Sequence, residues 1–190
     1  VAVLAVANLP ALTGRRWVDP AIDRDQDPPA AWQAASAALD DGDTRARVLQ
    51  LPGQEFGAFR WGYTVDPPFP GMTDKPLLTR DLLPLGSAAA MDLLYALDDR
   101  FQTGTVEPEA VVPIARLLGA DTIWVTGDAA FERFRTARPE VVADLFASGV
   151  PGTGEPRAFG DPAVNVPDIP IVDEESLADP RVGEPIPPVL

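Results

Sequence analysis

The chain has 190 residues, with 15 basic and 29 acidic side chains, no His and no Cys, for a net charge of −14. The acidic excess excludes nucleic-acid binding through a basic surface. The missing His and Cys exclude a Ser-His-Asp triad, a Cys nucleophile, a disulfide framework and the usual zinc ligands.

Proline is unusually common: 22 residues, about 12 % against an average near 5 %. Hydrophobic residues nevertheless make up 46 %, which is enough to build a core.

Residues Val1 to Leu12 carry no charge and are followed by Arg15, Arg16 and Trp17. Twelve apolar residues are too few to span a bilayer, but a basic and aromatic border suits the last turns of a membrane helix. A buried N-terminal element is the other reading. Asp19 to Pro29 is acidic and proline-punctuated, which reads as a linker. Its Asp23, Asp25 and Asp27 are spaced like the start of a calcium loop, but Pro28 and Ala34 stand where that loop needs Gly and Glu.

Asp27 followed by two prolines predicts a helix start, and the helix carries Trp32, Ala35 and Leu39 before stopping near Gly42. Arg47 to Leu51 reads as a buried strand closed by Pro52–Gly53. Residues 52–86 read as mostly irregular. Ser87 predicts the cap of a helix ending near Phe101, a second helix runs from Pro108 to Leu118, and Gly119 stops it. Thr122 to Thr126 predicts a strand. Asp128 is expected to cap a helix with Phe131 and Phe134, and Pro139 opens another through Phe146. Beyond Gly149 proline and glycine recur; Ile169–Val172 suits an edge strand, and Glu184 to Leu190 reads as extended.

This order predicts an α/β fold: a small sheet of parallel strands flanked by helices, with a long Pro/Gly-rich loop and a Pro-rich C-terminal tail. The expected divisions are 1–28 as helix end and linker, 29–150 as the α/β domain, and 151–190 as an extended segment.

Two patterns carry possible chemistry. Phe56 to Asp66 alternates aromatics with Gly, Arg and Asp. Sugar rings pack their C–H faces on aromatic rings, while their hydroxyls need carboxylates and Arg. Trp61 and Tyr63 beside Arg60 and Asp66 therefore suit a ledge for a glycan or a lipid headgroup. A loop stapled to the core by its aromatics is the plainer reading. Lys75 and Arg80 add two cations to the same stretch. Together with Arg60 they suit a phosphate, or else pair internally with Asp66, Asp74 and Asp81.

Several blocks taken in order carry a resemblance: Arg47-Val48-Leu49-Gln50-Leu51-Pro52-Gly53, Phe59-Arg60-Trp61-Gly62, Thr73-Asp74-Lys75-Pro76-Leu77, Arg80 to Ser87, and Ala115 to Val125. The series resembles the extracytoplasmic region of the AftD-type α-(1→3)-arabinofuranosyltransferases, GT-C glycosyltransferases of the actinobacterial cell envelope, over about residues 1 to 150. The resemblance implies a membrane-bound parent enzyme with its active site at the extracytoplasmic face. It implies a polyprenyl-phosphate-linked arabinofuranose donor and an arabinan acceptor, as in arabinogalactan and lipoarabinomannan. The family's catalytic Asp lies in a loop between membrane helices that is not visible here. No catalytic residue, metal or cofactor is therefore assigned to this segment. Its expected role is structural or acceptor-binding, against the membrane domain of the same protein, through Arg60, Trp61, Tyr63, Asp66, Lys75 and Arg80. A stand-alone carbohydrate-binding or scaffold module is the alternative.

Overall fold

A computed structural model describes residues 27–42, 47–80, 86–134, 136–168 and 182–190. The apolar N-terminal run, nearly all of the acidic linker and Ile169–Val172 lie outside the described residues.

Helix α1 spans Ala30–Asp40. Its N-cap is Pro29, two residues beyond the Asp27 expected at that position. Strand β1, Arg47–Leu51, is buried along four of its five residues. The stretch that follows is less irregular than its prolines suggested. It holds a short hairpin, β2 Gly57–Ala58 and β3 Tyr63–Val65, then a 3-10 turn at Phe69–Gly71, then strand β4 at Leu77–Leu78.

Helix α2 covers Ala88–Gln102 and starts as expected, with Ser87 Oγ accepting from the Ala90 amide at 3.4 Å. Helix α3, Pro108–Leu117, is followed by Gly119 at φ +78°, a left-handed stop that side chains disfavour. Then come β5 Ala120–Val125, the short α4 Phe131–Phe134, and α5 Pro139–Ala147. Two short strands, β6 Ala163–Val164 and β7 Pro185–Ile186, pair antiparallel.

The main sheet has the order β4-β1-β5, parallel throughout. The expected β1–β5 pairing is present, with Leu49 opposite Ile123 and Leu51 opposite Val125. Alternation along the strands splits the core in two. Leu49, Leu51 and Val125 face one side with Leu94, Leu97 and Phe101 of α2, Val111 of α3 and Phe146 of α5. Val48 and Trp124 face the other with Trp32 of α1, Phe59, Phe69 and Val189. Helices thus cover both faces, as a parallel sheet requires.

The extended C-terminal segment is built onto the sheet. Gly127 donates to Pro188 O at 2.9 Å, and Val125 and Leu190 exchange bonds of 2.8 and 3.0 Å. Val189 is 1 % exposed in the aromatic cluster.

Candidate functional site at the carboxyl end of the sheet

All three strands are parallel, so their carboxyl ends reach the same edge of the sheet. The chain leaves β1 toward β4 on one side and later returns to β5 on the other. Such a reversal opens a crevice at the carboxyl ends of the strands, the usual ligand position in open α/β sheets. Here the crevice is a cleft of about 290 Å³ lined by Gly53, Glu55, Arg80, Asp99, Gln102, Phe134 and Thr136. Gly53 and Glu55 follow β1, Arg80 follows β4, Phe134 and Thr136 follow β5, and α2 supplies Asp99 and Gln102.

Its floor is a hydrogen-bond network around Asp98, whose side chain is 1 % exposed. Asp98 Oδ1 accepts from the Gly53 amide at 2.6 Å, and Oδ2 accepts from Arg80 at 3.1 Å and from Gln102 at 3.3 Å. Burial outweighs these partners and raises the Asp98 pKa above the ordinary carboxylate value. A β-carbon on Gly53 would collide with Arg80, so glycine is required there. Arg80 also binds Asp99 at 2.7 Å and Glu55 at 3.4 Å, and its guanidinium lies 5.5 Å from the Tyr95 ring centre. The Thr136 hydroxyl oxygen is buried and has no partner among the described residues.

An aromatic group borders the cleft. Phe134 packs on Phe56 with centroids 4.9 Å apart, and Tyr63 stacks on Phe134 at 6.0 Å. All three rings are half-buried.

The six residues singled out from sequence fall in different places. Tyr63 stacks on Phe134, which lines this cleft together with Arg80. Asp66 is exposed near the end of the hairpin, where its carbonyl accepts from Thr64 Oγ1 at 2.6 Å. Arg60 and Trp61 belong to a second network, where the loop docks on residues 128–130. The Arg60 amide donates to Asp128 O at 2.8 Å, and its guanidinium forks onto Glu132 at 2.6 and 2.7 Å and also bonds Asn165 Oδ1. Burial works against the Glu132 carboxylate, but bonds from Arg60 and from the Asp168 segment dominate and hold its pKa at about 2. The Trp61 ring lies flat on Phe59 at 5.1 Å.

Asp128, expected as a helix cap, instead accepts from the Trp32 indole at 2.9 Å through Oδ2. Burial raises its pKa to about 7, against the pull of Trp32, Trp61 and Arg60.

Lys75 is 7 % exposed and donates to Gly42 O at 3.1 Å. It borders a larger cavity of about 560 Å³ beside β5, lined by Asp121, Ile123, Trp124, Arg157 and Val189 among others. The three cations therefore do not converge on one anion. Among the described residues, the carboxylates bound to Arg60 and Arg80 are Glu132, Asp98, Asp99 and Glu55, not the nearby Asp66 and Asp74; Asp81 lies outside the described residues. Glu55, Asp99, Phe134 and Thr136 were missed from sequence. The available signal was position, since Glu55 follows the end of β1 and Phe134 and Thr136 follow the end of β5.

Among the described residues no helix is long and apolar enough to cross a membrane, and no group of three or more acidic side chains is placed to hold a metal ion.

Residues 1–183 match the family model described as the alpha-(1->3)-arabinofuranosyltransferase N-terminal GT-C domain. The chain belongs to this family. Its fold is similar to the cryo-EM structure of arabinofuranosyltransferase AftD from Mycobacteria, with a TM-score of 0.72 and 26 % identity, covering 98 % of this chain and 13 % of that one. A mutant form of the same mycobacterial enzyme gives a TM-score of 0.72 and 26 % identity, over 99 % and 15 %. The chain thus spans about an eighth of the length of these AftD structures. No functionally curated protein matches it.

Proposed function

We propose that this chain is a segment of a membrane-bound arabinofuranosyltransferase, one that adds arabinofuranose from a polyprenyl-phosphate donor to cell-wall arabinan at the extracytoplasmic face. The observation that carries the reading is similarity along nearly the whole chain to AftD, both in the family model and in fold. The segment packs against the membrane domain of the same protein and contributes to the acceptor side. Within it, Tyr63, Asp66 and Arg80 belong to the acceptor side, while Arg60, Trp61 and Lys75 hold the fold that presents them.

A scaffold role alone is the second reading, and saturation of the Arg60 guanidinium by Glu132 and Asn165 favours it.

The test is a transfer assay on the longer protein, with labelled polyprenyl-phosphate arabinofuranose and an arabinan oligosaccharide. Label should move to the acceptor; no transfer, or transfer from a different sugar donor only, overturns the reading. Tyr63→Ala should lower transfer at least tenfold with folding retained. Unchanged transfer leaves the scaffold reading standing in its place.

A further inference from the structure

We infer that the cleft at the carboxyl ends of β1, β4 and β5 takes an uncharged saccharide unit and rejects phosphate. This rests on the acceptor-side reading above and names what the site selects.

Location is the first argument. Three adjacent strands of the sheet deliver their following residues to one crevice, at the point where the chain reverses direction across the sheet.

Charge is the second. Among the described residues that line the cleft, Arg80 is the one cation, and it is bound by three carboxylates: Asp98 at 3.1 Å, Asp99 at 2.7 Å and Glu55 at 3.4 Å. With those three ionised, the group carries about two net negative charges. A phosphate would have to compete with carboxylates already in place and enter their repulsive field. A hydroxyl faces no such barrier. Glu55 and Asp99 are 45 % and 65 % exposed at the side chain, so their free lone pairs can accept from it.

Surface character is the third. The half-buried Phe56, Phe134 and Tyr63 lie beside these carboxylates, giving apolar area for C–H faces next to acceptors for O–H groups. The Thr136 hydroxyl, buried and without a partner among the described residues, adds an unpaired polar atom at the wall. About 290 Å³ suits one or two five-membered sugar rings, not a polyprenyl chain.

The experiment titrates the 190-residue chain with a short arabinofuranose oligosaccharide, followed by saturation-transfer NMR and by amide shifts. Shifts should centre on Glu55, Tyr63, Asp99 and Phe134. Glu55→Gln, at a half-exposed position that leaves the fold intact, should weaken binding about fivefold, and Phe134→Leu at least tenfold. Inorganic phosphate at tenfold excess should not displace the sugar. The inference is overturned if no binding is seen, if both variants bind as the parent does, if phosphate displaces the sugar, or if the shifts centre on Asp121 and Arg157. Transfer by the longer protein that persists while this binding fails removes the inference and leaves the proposed function intact.

Discussion

The Trp32 indole nitrogen donates to Asp128 Oδ2 at 2.9 Å, joining α1 to the segment after β5 across 96 positions of sequence. The bond ties a carboxylate into an aromatic cluster, where burial raises its pKa to about 7. A carboxyl whose folded pKa lies above its ordinary value favours the protonated form. Its stabilising contribution is therefore intact below about pH 4 and is lost as the pH rises through 7. Asp128→Asn keeps an oxygen for the indole and removes the charge. It should raise the melting temperature by about 3–6 °C at pH 8, corresponding to about 1–2 kcal/mol, and change it little at pH 4. Thermal scans at the two pH values check this.

The Arg60–Glu132 fork has the opposite sign. Glu132 titrates at about 2 in the fold, below its ordinary 4.5. Its stabilisation is full above about pH 4.5 and disappears as the pH falls through 2. Glu132→Gln should therefore cost about 2–3 kcal/mol at pH 7, and the difference from the parent should shrink in urea titrations at pH 3.

Val65 closes the β2–β3 hairpin at φ +67° with 49 % of its surface exposed. A β-branched side chain is strained in that left-handed conformation and here buries little in return. Val65→Gly should stabilise the chain by about 1 kcal/mol, read as an increased urea midpoint with unchanged slope. An equal or lower midpoint would mean that the valine contributes more than its strain costs.

Gly127 is placed so that an added β-carbon would overlap the Pro187 carbonyl. Gly127→Ala should therefore push the C-terminal segment off β5, withdraw Val189 from the aromatic cluster, and cost about 2–3 kcal/mol. Faster exchange of the Val125 amide, which bonds Leu190 O at 2.8 Å, and easier proteolysis after residue 182 are the expected signatures.

The fold was legible where one local signal suffices. Apolar spacing marks α2, Ser87 caps it, and Arg47–Leu51 is an unbroken β-rich run beside Pro52. Strand β4 escaped notice because it is two residues long and follows Pro76; its pairing with Val48 and Leu49 is decided by the sheet, not by the strand. Asp27 and Asp128 have the composition of helix caps, yet Pro29 takes one position and a tryptophan claims the other carboxylate. The site was less legible because its partners are distant. Arg60 meets Glu132 72 positions away, one choice among 29 acids, and Arg80 finds Asp98 only because α2 lies under the end of β1.

Gly160 is held between Ala31 of α1 and Pro188, and Trp32 and Val189 share one aromatic cluster. Helix α1, the segment around Gly160 and the end of the C-terminal segment thus interlock beside β5, so loosening one of the three uncovers the other two.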